Sequence, residues 1–357
     1  MVGLLSLITV VSWGTWIPLA QAVPSVPQRA RTLYVTIGNV MFAGAALAVV
    51  GGHLAWGWRS FWLPVAGGVV WTSGNYAAFR ASEAIGLARA AGSWTPLNIV
   101  VAFVWGAALF GELDRLSGAR FAMLGGALVL VVTGVLVIVR SQDARPAGAP
   151  LPRARTVLGG RRSRVPAAAT VVPSGSAAPA VQSGPAGPPT AAAPARTATP
   201  AATAAPPAAA SGEASQHRRG LLWAAAAGVL WGSYFVPAQW AGTSAQVSNF
   251  PLAVGILAGG LALALSRRAP VRLPVTGAAA NLAAGVLFGI GNLALLGLVS
   301  RVGTGVGFTI GQLSLLVNAS IGIWVFKVPP PGSRAAKLAM AGILIAGSGG
   351  AIIGALR

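Results

Sequence analysis

The segment Trp13-Gly14-Thr15-Trp16 occurs a second time as Trp231-Gly232-Ser233-Tyr234, and Ala-Gln follows each copy at the same distance, at 20–21 and at 238–239. The two copies lie 218 residues apart. Self-similarity at a fixed offset is typical of a duplicated structural unit. These segments therefore predict a chain built from two halves with the same fold.

Further motifs extend the repeat with almost the same offset. Trp71-x-x-Gly74-Asn75 matches Phe288-x-x-Gly291-Asn292, 217 residues later, and Ile85-Gly86 matches Val302-Gly303. The halves that these matches predict are residues 1–139 and 220–357.

The composition indicates that both halves lie in a membrane. Of the 357 residues, 55% are hydrophobic and only 8% are charged, whereas soluble domains carry about 25% charged residues. A membrane-spanning helix needs about 20 mostly apolar residues. Windows of that length predict ten such helices, near residues 3–22, 33–52, 61–79, 92–111, 120–139, 221–240, 248–266, 276–298, 303–326 and 336–356.

Five helices in each half decide the topology. Because five is odd, the second half enters the membrane in the opposite sense to the first. The predicted fold is therefore an all-α membrane protein with ten transmembrane helices, arranged as two inverted five-helix repeats. This architecture is typical of carriers that work by alternating access, in which the halves rock about a site near the bilayer midplane.

Residues 140–219 differ from both halves. They contain 13 of the 25 prolines, ten of the 25 basic residues and no aromatic residue. A segment of this composition buries too little apolar surface to offset the entropy lost on ordering, so we expect a disordered Pro/Ala-rich linker. With the linker included, 20 of the 25 basic residues lie at connections on one side of the membrane. By the positive-inside rule, we expect that side to be cytoplasmic and both termini to lie outside.

Several function classes are disfavoured by what the sequence lacks. It has no Cys and only two His, so neither a thiolate metal site nor a disulfide framework is expected. No nucleophile motif of the Gly-x-Ser-x-Gly type occurs. Despite the net charge of +20, the basic residues form no patch with interleaved aromatic residues, so nucleic acid is not an expected partner. We predict a protein that is not an enzyme and has no cofactor and no metal.

Motifs in both halves give the sequence a family resemblance. They include Trp71-x-x-Gly74, Ile85-Gly86-Leu87-Ala88-Arg89, Phe110-Gly111-Glu112, Gly291-Asn292, Arg301-Val302-Gly303 and Phe308-Thr309-Ile310-Gly311-Gln312-Leu313. With these motifs the chain resembles the drug/metabolite transporter superfamily and, within it, the glucose/ribose porter family of sugar-uptake proteins. It departs from that pattern at Phe326-Lys327-Val328, where the repeat would give Phe-Gly-Glu, and in its long linker.

The resemblance implies a secondary transporter of a small polar metabolite, a monosaccharide of the glucose or ribose type, in a bacterial plasma membrane. Its partners would be this small-molecule substrate and the lipid bilayer. One alternative is an exporter of amphipathic metabolites or drugs from the same superfamily. A second alternative is a membrane scaffold that transports nothing.

Two ring-and-amide pairs are the leading candidates for a substrate site. Trp71 and Asn75 are spaced i,i+4 and share a helix face, as do Phe288 and Asn292. An aromatic face packs on the apolar face of a sugar, while an amide bonds to its hydroxyls. The alternative is that each amide is an interhelical hydrogen bond beside a packed ring.

Other candidates surround these pairs. Gln312 and Thr95 lie on equivalent helices of the two halves, near glycines or a proline that loosen the helix. Glu83, between the third and fourth helices, is the candidate for proton coupling, with pairing to a neighbouring arginine as its alternative. The first helices of the two halves together carry four aromatic residues that could line the substrate cavity or lie at the membrane interface: Trp13, Trp16, Trp231 and Tyr234.

Overall fold

The computed structural model describes residues 1–23, 26–49, 56–85, 87–112, 117–143, 207–266, 271–327 and 329–355. Throughout these ranges, the regular secondary structure is helical. The helices are α1 (Val2–Gln21), α2 (Gln28–Val49), α3 (Trp58–Ile85), α4 (Leu87–Phe110), α5 (Gly118–Asp143), α6 (Pro207–Ser233), α7 (Val236–Trp240), α8 (Ala245–Leu265), α9 (Val275–Val302), α10 (Thr304–Gln312), α11 (Ser314–Trp324) and α12 (Arg334–Ala355).

Eight helical segments in the described ranges are long and apolar enough to cross a membrane. This confirms an all-helical protein with multiple membrane-spanning helices. The eight are Val2–Gln21, Gln28–Val49, Ser93–Phe110, Gly118–Ile138, Ser215–Trp240, Ala245–Leu265, Val275–Val302 and Thr304–Trp324. Helices α3 and α12 have spanning length but are not among these eight. The core of α3 contains Gly67, Gly68, Thr72, Gly74 and Asn75, which lower its hydropathy.

The ends of the predicted linker are helical. Helix α5 continues to Asp143, and α6 begins at Pro207, so residues 140–143 and 207–219 belong to helices. Proline is tolerated in the first turn of a helix, and the alanines that follow have the highest helix propensity of any residue. The rest of the predicted linker, residues 144–206, lies outside the described ranges.

The two halves interlock through pairs of helices. Helix α1 packs on α9 and α3 packs on α6; likewise α2 packs on α9 and α3 packs on α8. Helices α5 and α12 pack against each other. Small residues allow helix backbones in membranes to approach closely, and glycines stand at these crossings. A methyl group at Gly68 would collide with the Leu252 carbonyl, and one at Gly285 would collide with the Val35 carbonyl.

Two of the crossing segments are interrupted. The turn at Tyr234 and Phe235 separates α6 from α7, and Leu313 separates α10 from α11. A third break, between α9 and α10, is at Gly303, whose φ of +86° favours glycine. At the first of these breaks, Tyr234 and Phe235 are buried in the core of the molecule.

Candidate functional site

Aromatic rings from both halves meet in the middle of the helix bundle. We call this set the aromatic cluster: Trp13, Trp16, Trp71, Tyr234, Phe235, Phe288 and Phe308. Phe288 of α9 is its centre. The ring centroid of Phe288 lies 4.7 Å from that of Trp71, 5.2 Å from that of Trp16 and 6.3 Å from that of Trp13. The structure thus brings together rings that the sequence placed on three separate helices.

Rings of the second half complete the cluster from the other side. The Phe308 ring centroid lies 4.9 Å from that of Phe235 and 6.4 Å from that of Tyr234. Trp231 packs on the edge of the cluster, where its indole N–H donates to the Trp71 carbonyl at 3.2 Å. The Trp231–Trp71 hydrogen bond thus joins the two halves at the edge of the cluster.

The two tryptophans at equivalent repeat positions each lie over a glycine of the opposite half. A methyl group added to Gly74 would stand 2.7 Å from Trp231 Cδ1. A methyl group added to Gly291 would collide with Trp13 Cδ1 and stand 2.9 Å from its Nε1. Glycine is required at both positions because the indole rings leave no room for a side chain.

The two asparagines predicted for the site have different partners. Asn292 is buried inside the cluster, where its Oδ1 accepts a hydrogen bond from the Tyr234 hydroxyl at 3.2 Å. Asn75 is also buried, but its Nδ2 donates to Thr32 Oγ1 of α2 at 3.4 Å. The Asn292 bond therefore links α9 to the turn between α6 and α7 within the second half, and the Asn75 bond links two helices of the first half.

The other predicted site residues are Thr95, Gln312 and Glu83. Thr95 is buried on α4, next to Trp94, whose ring packs edge-on on Trp231 at 5.5 Å. Gln312 ends α10 at the break before α11 and is half-buried. Glu83 is exposed near the end of α3, and its carboxylate pairs with Arg80 at 3.1 Å. The structure does not bring Glu83 to the aromatic cluster.

A cavity of about 470 Å³ opens beside the aromatic cluster. Its apolar wall includes Phe235 and Val299, both members of the buried core that surrounds the cluster. We call it the side cavity, and the end of the bundle where it opens the cavity end. It is large enough for a small ligand, since ligand pockets range from about 300 to about 1,000 Å³. Its polar lining consists of Glu112, Gln239, Thr243, Ser248, Ser300 and Arg301.

Three polar residues of the side cavity region were missed as site candidates. Glu112 accepts hydrogen bonds from the backbone N–H groups of Thr304 and Gly305, and the Thr304 hydroxyl donates to Gln239 Oε1. Glu112 was assigned no role at the site from the sequence, because its partners at the start of α10 are 192 and 193 positions away in the chain. The useful signal was its position after a glycine at the end of α4, since that places a carboxylate beyond the helix, free to reach another element.

Comparison with known proteins gives the family. The model of the family described as "Sugar transport protein" matches residues 4–156 and 201–356, which together make up most of the chain. The chain belongs to the sugar transport protein family. This confirms the predicted resemblance to a sugar-uptake family and shows a membrane transporter of small molecules. No match was found among curated proteins.

A solved structure shows the same fold as this sugar transport family member. It is described only as "Crystal structure of protein", and it is 19% identical over 100% of this chain and 99% of its own. The TM-score of 0.61 shows a shared fold. Within the described ranges of this chain, no group of three or more His, Cys, Asp or Glu side chains is placed to hold a metal ion.

Proposed function

We propose that this protein carries a monosaccharide across the bacterial plasma membrane by alternating access of two inverted five-helix halves, residues 1–139 and 220–357. Membership of the sugar transport family supports the substrate class. The helix pairing supports the symmetry, because α1 on α9 has the same repeat relationship as α6 on α3. The two tryptophan-over-glycine contacts, Trp13 with Gly291 and Trp231 with Gly74, support it at the level of single residues.

We further propose that the sugar binds at the aromatic cluster. The observation that carries this is the Tyr234–Asn292 hydrogen bond, a polar pair buried among rings from both halves. A hydroxyl and an amide beside flat rings offer a sugar both hydrogen bonds and an apolar stacking surface. The pair joins α9 to the break between α6 and α7 within the second half, while Trp16 and Trp71 of the first half pack on the neighbouring Phe288 ring, so a sugar bound here would contact both halves.

The side cavity would be the route from water to this site. Its mouth has exposed Ser300 and Arg301, while its base reaches Phe235 beside the cluster. Asn75, Thr95 and Gln312 are proposed to join the site from equivalent helices as the halves move. From the distribution of basic residues, we assign the cavity end to the outside of the cell, which would make this conformation open outward.

Uptake into proteoliposomes tests the proposed function. The purified protein should exchange labelled D-glucose or D-ribose across the membrane, and an excess of the same unlabelled sugar should compete. Transport of labelled amphipathic cations, measured in parallel, tests the alternative that the protein is a drug exporter. Transport of these cations without sugar exchange would contradict the sugar assignment, and transport of neither class would favour a scaffold.

A further inference from the structure

Two tryptophans at equivalent positions of the repeat have the same pose. Trp13 and Trp231 each lie over a glycine of the opposite half. A methyl group at Gly291 would stand 2.9 Å from Trp13 Nε1, and one at Gly74 would stand 3.0 Å from Trp231 Nε1. The two indole N–H groups therefore meet the opposite helix at corresponding points of the repeated structure.

The two N–H groups differ in their hydrogen bonding. Trp231 Nε1 donates to the carbonyl of Trp71, which lies one turn before the glycine that this indole covers. The corresponding carbonyl for Trp13 belongs to Phe288. Trp13 Nε1, however, is buried and has no hydrogen-bond partner among the described residues, that carbonyl included. Trp13 thus has an unpaired donor at the point where Trp231 has a bonded one.

An unpaired buried donor calls for an acceptor. A buried N–H group that has given up its bonds to water without gaining another destabilises the folded protein, so most buried polar groups in native proteins are hydrogen-bonded. Several buried side-chain atoms in the described ranges have no partner, but Trp13 Nε1 is the one within the aromatic cluster. An indole N–H only donates. The group that suits it is therefore an acceptor oxygen.

This donor lies beside the proposed sugar site. The Trp13 ring stacks on Phe288, with ring planes 15° apart. The next residue after Gly291, which this indole covers, is Asn292, whose Oδ1 accepts from the Tyr234 hydroxyl. The indole donor and the buried polar pair are thus at the same turn of α9, whereas Trp231 packs at the edge of the cluster.

Resting on the proposed function, we propose that the Trp13 N–H is a specificity-determining donor that binds one hydroxyl oxygen of the sugar. A sugar hydroxyl has two acceptor lone pairs and one O–H, so it can accept from Trp13 and still donate to a second group. D-glucose satisfies the donor, whereas an analogue without that hydroxyl leaves it unpaired. Trp231, whose N–H is already bonded, is a structural contact between the halves.

The first test combines a variant of Trp13 with a panel of deoxyglucoses, each of which lacks one hydroxyl. Trp13→Phe removes the N–H and keeps an aromatic ring, and it should weaken equilibrium binding of D-glucose by about 2-fold to about 10-fold. One deoxyglucose should bind the wild type more weakly than D-glucose does. Trp13→Phe should weaken that analogue less than it weakens D-glucose, because one partner of the bond is already absent.

Two further variants serve as comparisons. Trp231→Phe should lower the unfolding temperature in detergent, because it removes the bond to the Trp71 carbonyl. Any change in its affinity should be the same factor for D-glucose and for every deoxyglucose. Trp324→Phe removes an exposed indole from α11, and it should leave both the affinity and the unfolding temperature unchanged.

The outcomes separate this proposal from the proposed function. If Trp13→Phe weakens D-glucose and every deoxyglucose by one common factor, the ring alone contacts the sugar and the proposal is overturned. Wild-type affinity of Trp13→Phe for D-glucose would overturn it as well, as would selective loss for one hydroxyl in Trp231→Phe alone. A wild type that binds neither D-glucose nor D-ribose would instead count against the proposed function, and this proposal would fall with it.

A second measurement needs no sugar. Benzothienylalanine has the shape of tryptophan with sulfur in place of the N–H, and it can be incorporated at one position at a time. At Trp231 it should lower the unfolding temperature, because the bond to Trp71 is lost. At Trp13 it should leave the unfolding temperature unchanged or raise it, because it removes an unpaired donor. An equal fall at both positions would overturn the proposal, since it would show that the Trp13 N–H is already bonded without sugar.

Discussion

At the residue scale, Asn292 shows what a pattern in the sequence can and cannot predict. Its position one helical turn from Phe288 was enough to predict that ring and amide share a face, and both are buried together. Its partner Tyr234 is 58 residues away, so no local spacing could indicate the bond. For the same reason Glu112, bonded to a residue 192 positions away, was missed as a site residue.

Replacing Asn292 by alanine should weaken sugar binding. A hydrogen bond to a neutral group contributes about 0.5–1.5 kcal/mol, so affinity for D-glucose should fall by about 2-fold to about 10-fold. Asn281→Ala is the matched control, since Asn281 is a buried asparagine of the same helix whose Nδ2 donates to the Gly277 carbonyl. It should leave affinity unchanged. Equilibrium binding of D-glucose and thermal unfolding in detergent, measured on both variants, distinguish a role in sugar binding from a role in helix packing.

The opposite pattern would identify Asn292 as an interhelical contact. In that case Asn292→Ala would lower the unfolding temperature while D-glucose affinity stayed at the wild-type value. The same pair of measurements on Asn75→Ala and Gln312→Ala decides whether they belong to the site. The bond from Asn75 to Thr32 predicts that Asn75→Ala loses more stability than Gln312→Ala.

At the element scale, helix positions could be predicted but helix breaks could not. Hydropathy windows locate membrane helices because a bilayer requires long apolar segments with internally bonded backbone. The break between α10 and α11 at Leu313, by contrast, lies inside the predicted helix 303–326, in a segment apolar enough to form one membrane-spanning helix. Likewise the helical start at Pro207 was missed, since proline and alanine counts alone indicated disorder.

The glycine crossings give a prediction for helix packing. Gly285→Ala should strongly destabilise the bundle, because the added methyl group would collide with the Val35 carbonyl of α2. Gly125→Ala, in α5, is the control: nothing lies within 4 Å of the added methyl, and alanine favours a helix by about 1 kcal/mol. The unfolding temperature in detergent should fall for Gly285→Ala and should stay the same or rise for Gly125→Ala. Equal effects would contradict the close α2–α9 contact.

At the scale of the whole molecule, the duplication predicted more than any single motif. An offset of 217 or 218 residues was enough to propose equivalent helices, and offset-related glycines do stand at offset-related crossings. The sequence could not predict the side cavity, because its lining combines residues of α4, α7, α8 and α9. Nor could it predict that Glu112 of the first half would accept hydrogen bonds from the start of α10 in the second half.

The orientation in the membrane is open to a direct test. Gln246 is exposed at the start of α8 at the cavity end, whereas Ser174 belongs to the predicted linker. In a chain without native cysteine, Gln246→Cys should react with an impermeant thiol reagent in intact cells. Ser174→Cys should react only after the membrane is permeabilised. The reverse pattern would place the linker outside the cell and the side cavity on the cytoplasmic face.

Lys327 has a backbone conformation that normally favours glycine. Its positive φ is close to that of Gly111, the residue at the matching position of the sequence repeat. A side chain in this conformation costs about 1–2 kcal/mol, and Lys327 is exposed. Replacing it by glycine, Lys327→Gly, should therefore raise the unfolding temperature without affecting transport. The variant would then be a more stable transporter. A lower unfolding temperature would instead show that the Lys327 side chain makes stabilising contacts.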